Sequence, residues 1–203
     1  APHFGPLPLV EVRVMLGALL LSPFLWRARK QLDAAHWRRL AIVGVLNSAI
    51  PFSLFAWGAE RAPAGIGAIA NSMTVRVTAR IAFAFYREHI GLRRGIALVA
   101  GFAGVVILAS GRTAGDNIML AAIAGTLASF CYGIAVNLTK RKLGDLQPVV
   151  GVAGTLSCSA LMLAPLAIAT WPSNPVPASS WLAAIALGVV CTGFAYFLFF
   201  RLI

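Results

Sequence analysis

Few side chains of this sequence could do chemistry inside its apolar blocks, and they fall in a handful of places. The densest is Pro63 to Tyr86, where Asn71, Ser72, Thr74, Arg76, Thr78 and Arg80 interrupt a greasy run. On a helix these residues divide. Asn71, Thr74 and Thr78 lie within about 60° of one another at 100° per residue, so an amide and two hydroxyls share a face. That face is equipped to hold a small polar solute, or to hydrogen-bond a neighbouring helix. Arg76 and Arg80 lie opposite, one turn apart. Either they clamp an anion or carboxylate through bidentate contacts, or they mark an altered stretch with no binding role. An arginine midway across a bilayer costs about 2.5–3.5 kcal/mol on insertion scales, and no carboxylate inside a block is an evident partner.

Other blocks carry polar groups more sparsely. Glu11 is the only carboxylate clearly inside one, which makes it the in-chain candidate for proton coupling; the alternative is that it marks a helix end. Arg13, two residues on, points elsewhere on a helix and does not pair with it. Asn47 and Ser48 precede Pro51, which removes a helical hydrogen bond and predicts a kink. Cys191, Thr192 and Ala195 occupy the matching place late in the chain, with Tyr196 one turn beyond Thr192. Tyr132 shares a helical face with Gly125, Ser129 and Val136. Aromatic walls with a few hydroxyls suit an amphipathic metabolite, and equally suit ordinary packing.

Catalytic readings fail. His3, His36 and His89 lie at an end or in connecting segments, so no nucleophile–base pair forms at depth, and no HExxH, GxSxG or phosphate-binding loop is present. Cys131, Cys158 and Cys191 are widely spaced within apolar blocks and read as small buried hydrophobes, without metal-ligand spacing. The sequence predicts neither an enzyme nor a bound metal or cofactor.

The elements that must position these groups follow from hydropathy. The 203 residues are 60% hydrophobic and 11% charged, with mean hydropathy +0.85. A soluble domain carries roughly 25% charge; this composition predicts an all-α polytopic transmembrane helix bundle. Seven apolar blocks span about 7–26, 39–59, 63–86, 92–110, 117–137, 147–170 and 181–200. The net charge of +11 does not signal nucleic acid, because the basic residues cluster between blocks. Arg27, Arg29, Lys30, Arg38 and Arg39, then Arg87, Arg93 and Arg94, then Lys140, Arg141 and Lys142, and finally Arg201 fall on one side. Arg61 and Arg112 fall on the other. The positive-inside rule then places the C-terminus in the cytoplasm. Trp26, Trp37, Trp171 and Trp181 sit at block edges as interfacial anchors. The expected partners are the lipid bilayer and a small-molecule solute; a homo-oligomer is allowed.

Spacing also predicts an internal repeat. Pro6 and Pro23 recur as Pro148 and Pro165, an offset of 142. Trp37, Gly44-Val45 and Leu54-Phe55 recur as Trp181, Gly188-Val189 and Leu198-Phe199, an offset of 144. Five spans separate equivalent blocks, an odd number, so the second copy is inverted. Two halves result, about 1–110 and 117–203, an architecture suited to alternating access with a solute site between them.

Three stretches carry a resemblance: Pro63-Ala-Gly-Ile-Gly-Ala-Ile-Ala-Asn-Ser-Met-Thr, Ala82-Phe-Ala-Phe-Tyr-Arg-Glu-His-Ile, and Arg94-Gly-Ile-Ala-Leu-Val-Ala-Gly-Phe-Ala-Gly-Val-Val-Ile-Leu. They resemble EamA-type permeases of the drug/metabolite transporter superfamily, most specifically over about 37–110. The resemblance implies a bacterial inner-membrane exporter of amino acids or other small metabolites, built from ten helices in two inverted halves. On that frame the chain corresponds to helices two to eight, lacking the first helix of one half and the last two of the other. It departs from the family where a Thr-Pro-apolar-apolar-Thr-Ala-apolar pattern is replaced by Thr74-Val-Arg-Val-Thr-Ala-Arg80. The expected cavity wall is Asn47, Asn71, Thr74, Thr78, Tyr132, Thr192 and Tyr196, with Arg76 and Arg80 as anion contacts and Glu11 for proton coupling. A non-transporting membrane scaffold and an inactive permease fragment are the alternatives.

Overall fold

A computed structural model describes residues 3–62, 67, 71, 74, 118–195 and 198. The described residues form helices and turns without a strand. They comprise α1 (Pro6–Ala28), a 3₁₀ turn (Arg29–Gln31), α2 (Ala34–Gly44), a π turn π1 (Val45–Ala49), α3 (Ile50–Ala59), α4 (Ile118–Lys142), α5 (Pro148–Ala169), α6 (Ala178–Gly188) and a second π turn π2 (Val189–Phe194). Among the described residues, four stretches are long and apolar enough to cross a membrane: Pro6–Gln31, Ala34–Ala59, Leu120–Lys142 and Pro148–Ala169. The expected blocks at 63–86 and 92–110 lie outside the described residues, apart from three isolated positions.

The chain divides into two compact units, Ala1–Ala49 with Leu138–Ile203, and Ile50–Asn137. In the first, α1 and α5 pack on each other. α5 also carries α2 and π1, while α1 carries α6 and π2. Both central helices begin with proline at the first helical position, where the missing N–H is no loss, and both carry a second proline inside, Pro23 and Pro165. Gly5, ahead of Pro6, has φ +74°, a left-handed conformation that favours glycine. Asp33 starts α2 as its N-cap, accepting from the His36 backbone N–H at 2.8 Å. Phe4 closes one end, edge-on to Trp171 and Trp181 at centroid separations of 6.2 and 4.8 Å.

The repeat expected from spacing has a counterpart in the elements. α1 starts at Pro6 and α5 at Pro148; α2 covers Ala34–Gly44 and α6 covers Ala178–Gly188, each running straight into a π turn. The close contacts repeat as well. A Cβ on Gly44 would stand 2.5 Å from the Thr155 carbonyl oxygen, and one on Gly188 would stand 2.8 Å from Leu16 Cβ and 3.1 Å from the Arg13 carbonyl oxygen. Thr155 and Arg13 are themselves 142 apart. One contact is made twice, with the partners exchanged. Between lipid-facing helices there is no hydrophobic drive to associate, so backbone approach of this kind is what packs them.

Part of the kink expected at Pro51 takes the form of π1. In a regular helix the proline ring would meet the carbonyl of Asn47, and the wider turn ending at Ala49 relieves that conflict. π2 contains no proline, so the distortion belongs to both copies and not to Pro51 alone.

In the second unit, Tyr132 of α4 packs against Phe55 and Phe52 of α3 at 6.2 and 6.4 Å between centroids. Gly58 lets α3 approach Ala121, to which an added Cβ would be 3.7 Å. At the end of α3, Arg61 donates to the Trp57 carbonyl at 2.9 Å and stacks 4.0 Å over the Trp57 ring.

Candidate functional site

Polar groups inside the spans of the first unit gather where α1 meets π2. Thr192, 1% exposed, accepts from Arg13 Nε at 2.9 Å. Its hydroxyl in turn donates to the Leu187 carbonyl at 3.1 Å, five residues back along the π turn. Gly17 sits one turn beyond Arg13 and makes this possible. A Cβ there would stand 3.1 Å from Thr192 Cγ2, so only a bare backbone admits π2 this close. The guanidinium, the hydroxyl and the backbone carbonyl form one chain of hydrogen bonds joining α1 to α6 and π2.

Glu11 lies on the same helix but on another face, 8% exposed, and its Oε2 has no hydrogen-bond partner among the described residues. Ala153, the position 142 residues later, is also fully buried. One copy therefore carries a carboxyl where the other packs a methyl group. Glu11 lies in the second turn of α1. Its free oxygen can take a proton or a hydrogen bond. Ser48 on π1 is likewise buried, and its hydroxyl has no partner among the described residues. Ser48 and Thr192 are 144 apart, so each π turn presents a hydroxyl at the same place.

The remaining expected site residues are distributed as follows. Asn47 is half-buried on π1, in the unit that holds Thr192. Asn71, Thr74 and Tyr132 belong to the other unit. Thr74 Oγ1 donates to Asn71 Oδ1 at 3.5 Å, a long bond, so these two share a face. Thr78, Arg76, Arg80 and Tyr196 lie outside the described residues. Cys191 departs from expectation. It is exposed on π2, whereas Cys158 is buried.

Sequence reasoning missed two arrangements. It gave Arg13 no partner, because its contact with Thr192 spans 179 residues. It also left the His36 cluster unread. His36 Nδ1 lies 2.6 Å from Asp33 Oδ1, its Nε2 lies 3.1 Å from Asp145 Oδ2, and Arg39 Nη1 reaches the same Asp145 oxygen at 3.5 Å. The ring thereby joins the α1–α2 turn to the α4–α5 turn. Both carboxyls are held below their ordinary value of 3.8. For Asp33 the main cause is the His36 backbone N–H, followed by the ring; for Asp145 it is the His36 ring.

The fold and the sequence both have counterparts among known proteins. A crystal structure superposes with a TM-score of 0.72 at 18% identity, over 94% of this chain and 67% of its own, a likeness of fold. Protein PecM of Dickeya dadantii (strain 3937) is 26% identical over 175 residues, 84% of this chain; the match spans 59% of PecM's length. The sequence profile of the EamA-like transporter family matches residues 1–110 and again 119–203. With both stretches matched and only the short joint between them left over, the chain belongs to the EamA-like transporter family of multi-pass membrane proteins.

Proposed function

We propose that this protein exports amino acids or other small metabolites by alternating access, two inverted halves at about 1–110 and 117–203 rocking around a central cavity. The observation that carries the reading is the pair of matched π turns, each placing a buried hydroxyl, Ser48 or Thr192, at the same register of a repeated helix. π turns are concentrated at functional sites and weaken the helical ladder where they occur, which suits a hinge. Asn47, Asn71, Thr74, Thr78, Tyr132, Thr192 and Tyr196 line the cavity in this proposal, and Arg76 and Arg80 meet an anionic group of the solute. Glu11 exchanges the proton that couples transport, and its unpartnered buried oxygen supports that role. The protein sits in the bacterial inner membrane with its C-terminus in the cytoplasm.

Proteoliposomes loaded with a panel of labelled amino acids and metabolites test the function. Efflux of at least one solute above empty vesicles, stimulated by a pH gradient, is expected. Glu11→Gln keeps the shape and removes the titrating group, so it abolishes the gradient's effect. A variant that responds to the gradient like the parent removes Glu11 from coupling; a panel with no transported solute argues for a membrane scaffold where a partner protein binds, and for an inactive permease fragment where none does.

A further inference from the structure

At the end of the first unit where α1 runs into the 3₁₀ turn and α5 begins, Phe24, Arg27, Ala28, Gln31, Gln147 and Val150 line a cavity of about 410 Å³. Its lining combines a guanidinium and two carboxamides with an apolar wall, and contains no carboxylate. We propose that this cavity is a headgroup site for an anionic phospholipid.

Three observations favour that occupant. Arg27 has no hydrogen bond or ion pair among the described residues, and the carboxylates of the adjoining turns, Asp33 and Asp145, are already held by His36 and Arg39. The positive charge at the cavity is therefore not neutralised from within. Gln147 is the N-cap of the 22-residue α5 and makes no side-chain cap bond, so its carboxamide is available beside the positive end of that helix.

The third observation separates a lipid from a dissolved anion. Leu20, Phe24 and Arg27 follow one face of α1, three or four residues apart, and with Gln31 on the 3₁₀ turn beyond it they run from apolar to polar. Leu20 at the greasy end is exposed, as is the neighbouring Leu19. Arg29 stacks 3.9 Å over the exposed Trp26 ring, an interfacial pairing. A ligand with a charged head and an acyl tail matches this gradient; a free anion uses only its polar end. Basic pockets between spanning helices are a general headgroup motif, and each nearby Lys or Arg adds about 1 kcal/mol of attraction to anionic lipid.

Native mass spectrometry of the full chain in detergent tests the site with phosphatidylglycerol, phosphatidylcholine and inorganic phosphate as probes. Phosphatidylglycerol is retained over phosphatidylcholine, and excess phosphate does not displace it. Arg27→Ala weakens retention about fivefold. Arg38→Ala, which removes a charge from the same end without touching the cavity, leaves it unchanged. Gln147→Ala also weakens retention, and carries the test if Arg27→Ala does not fold. Equal retention of the two lipids, or equal loss in the Arg27 and Arg38 variants, overturns the site. Displacement by phosphate overturns the lipid in favour of a soluble anion. None of these readouts requires transport, so failure here leaves the export proposal standing.

Discussion

At the scale of single residues, Thr192 and Glu11 show what a polar group inside lipid requires. Thr192 satisfies an arginine and a backbone carbonyl together. Interhelical hydrogen bonds of this kind are worth about 0.6–1.7 kcal/mol in membranes. Thr192→Val keeps the volume and removes both bonds, so unfolding in micelles occurs with a loss of about that size, while Thr192→Ser stays near the parent. A Thr192→Val protein as stable as the parent would show that Arg13 finds equal bonding elsewhere. The sequence carried Thr192 as a hydroxyl inside an apolar block but not its partner. Pairing across 179 residues depends on where Gly17 lets two helices touch, which no local pattern encodes. Glu11 was legible as a carboxyl in a span. Its burial was not, because hydropathy does not tell a protein-facing side from a lipid-facing one.

Among the described elements, the ends of α1 and α5 followed closely from hydropathy, whereas α2 begins before its expected block and α4 runs past its own; the offsets of Pro6, Pro23 and Trp37 correspond to the matched starts of α1 and α5 and of α2 and α6. Pro51 foretold a distortion, yet π2 has no proline to announce it. The contact glycines give the sharpest element-scale expectation. Gly44→Ala and Gly188→Ala each press a methyl group into a neighbouring helix and destabilise by about 1–3 kcal/mol. Gly151→Ala, with nothing within 4 Å, changes stability little. Thermal unfolding of the three variants side by side separates them; equal melting would deny the close approach. The turns offer a pH-dependent element. A carboxyl with a lowered native value stabilises fully above its unfolded value, about pH 4, and that contribution disappears as pH falls through the native value. His36→Ala removes the ring that chiefly depresses Asp145 and keeps the backbone N–H that chiefly depresses Asp33, so it flattens only part of the acid limb of the stability profile. These groups are exposed, so the effect is small and fades with added salt.

For the whole molecule, membrane sidedness is the open quantity that charge addresses. Basic residues concentrate where α1 gives way to α2, over Arg27–Arg39, and at the end of α4, Lys140–Lys142. A cysteine introduced at Arg38 is expected to resist a membrane-impermeant maleimide added to intact cells and to react after permeabilisation. A cysteine at Arg112 reacts without it. The reverse pattern would invert the orientation derived from the positive-inside rule.

The exchange of partners at Gly44 and Gly188 has a consequence for biogenesis. Neither copy brings the ridge that its own glycine notch receives. A gene cut in the 111–116 joint would yield two pieces that are each unfinished, exposed to quality control and short-lived when made alone. Synthesised together they would rescue one another. A family assembled this way is open to origin from separate, mutually dependent chains.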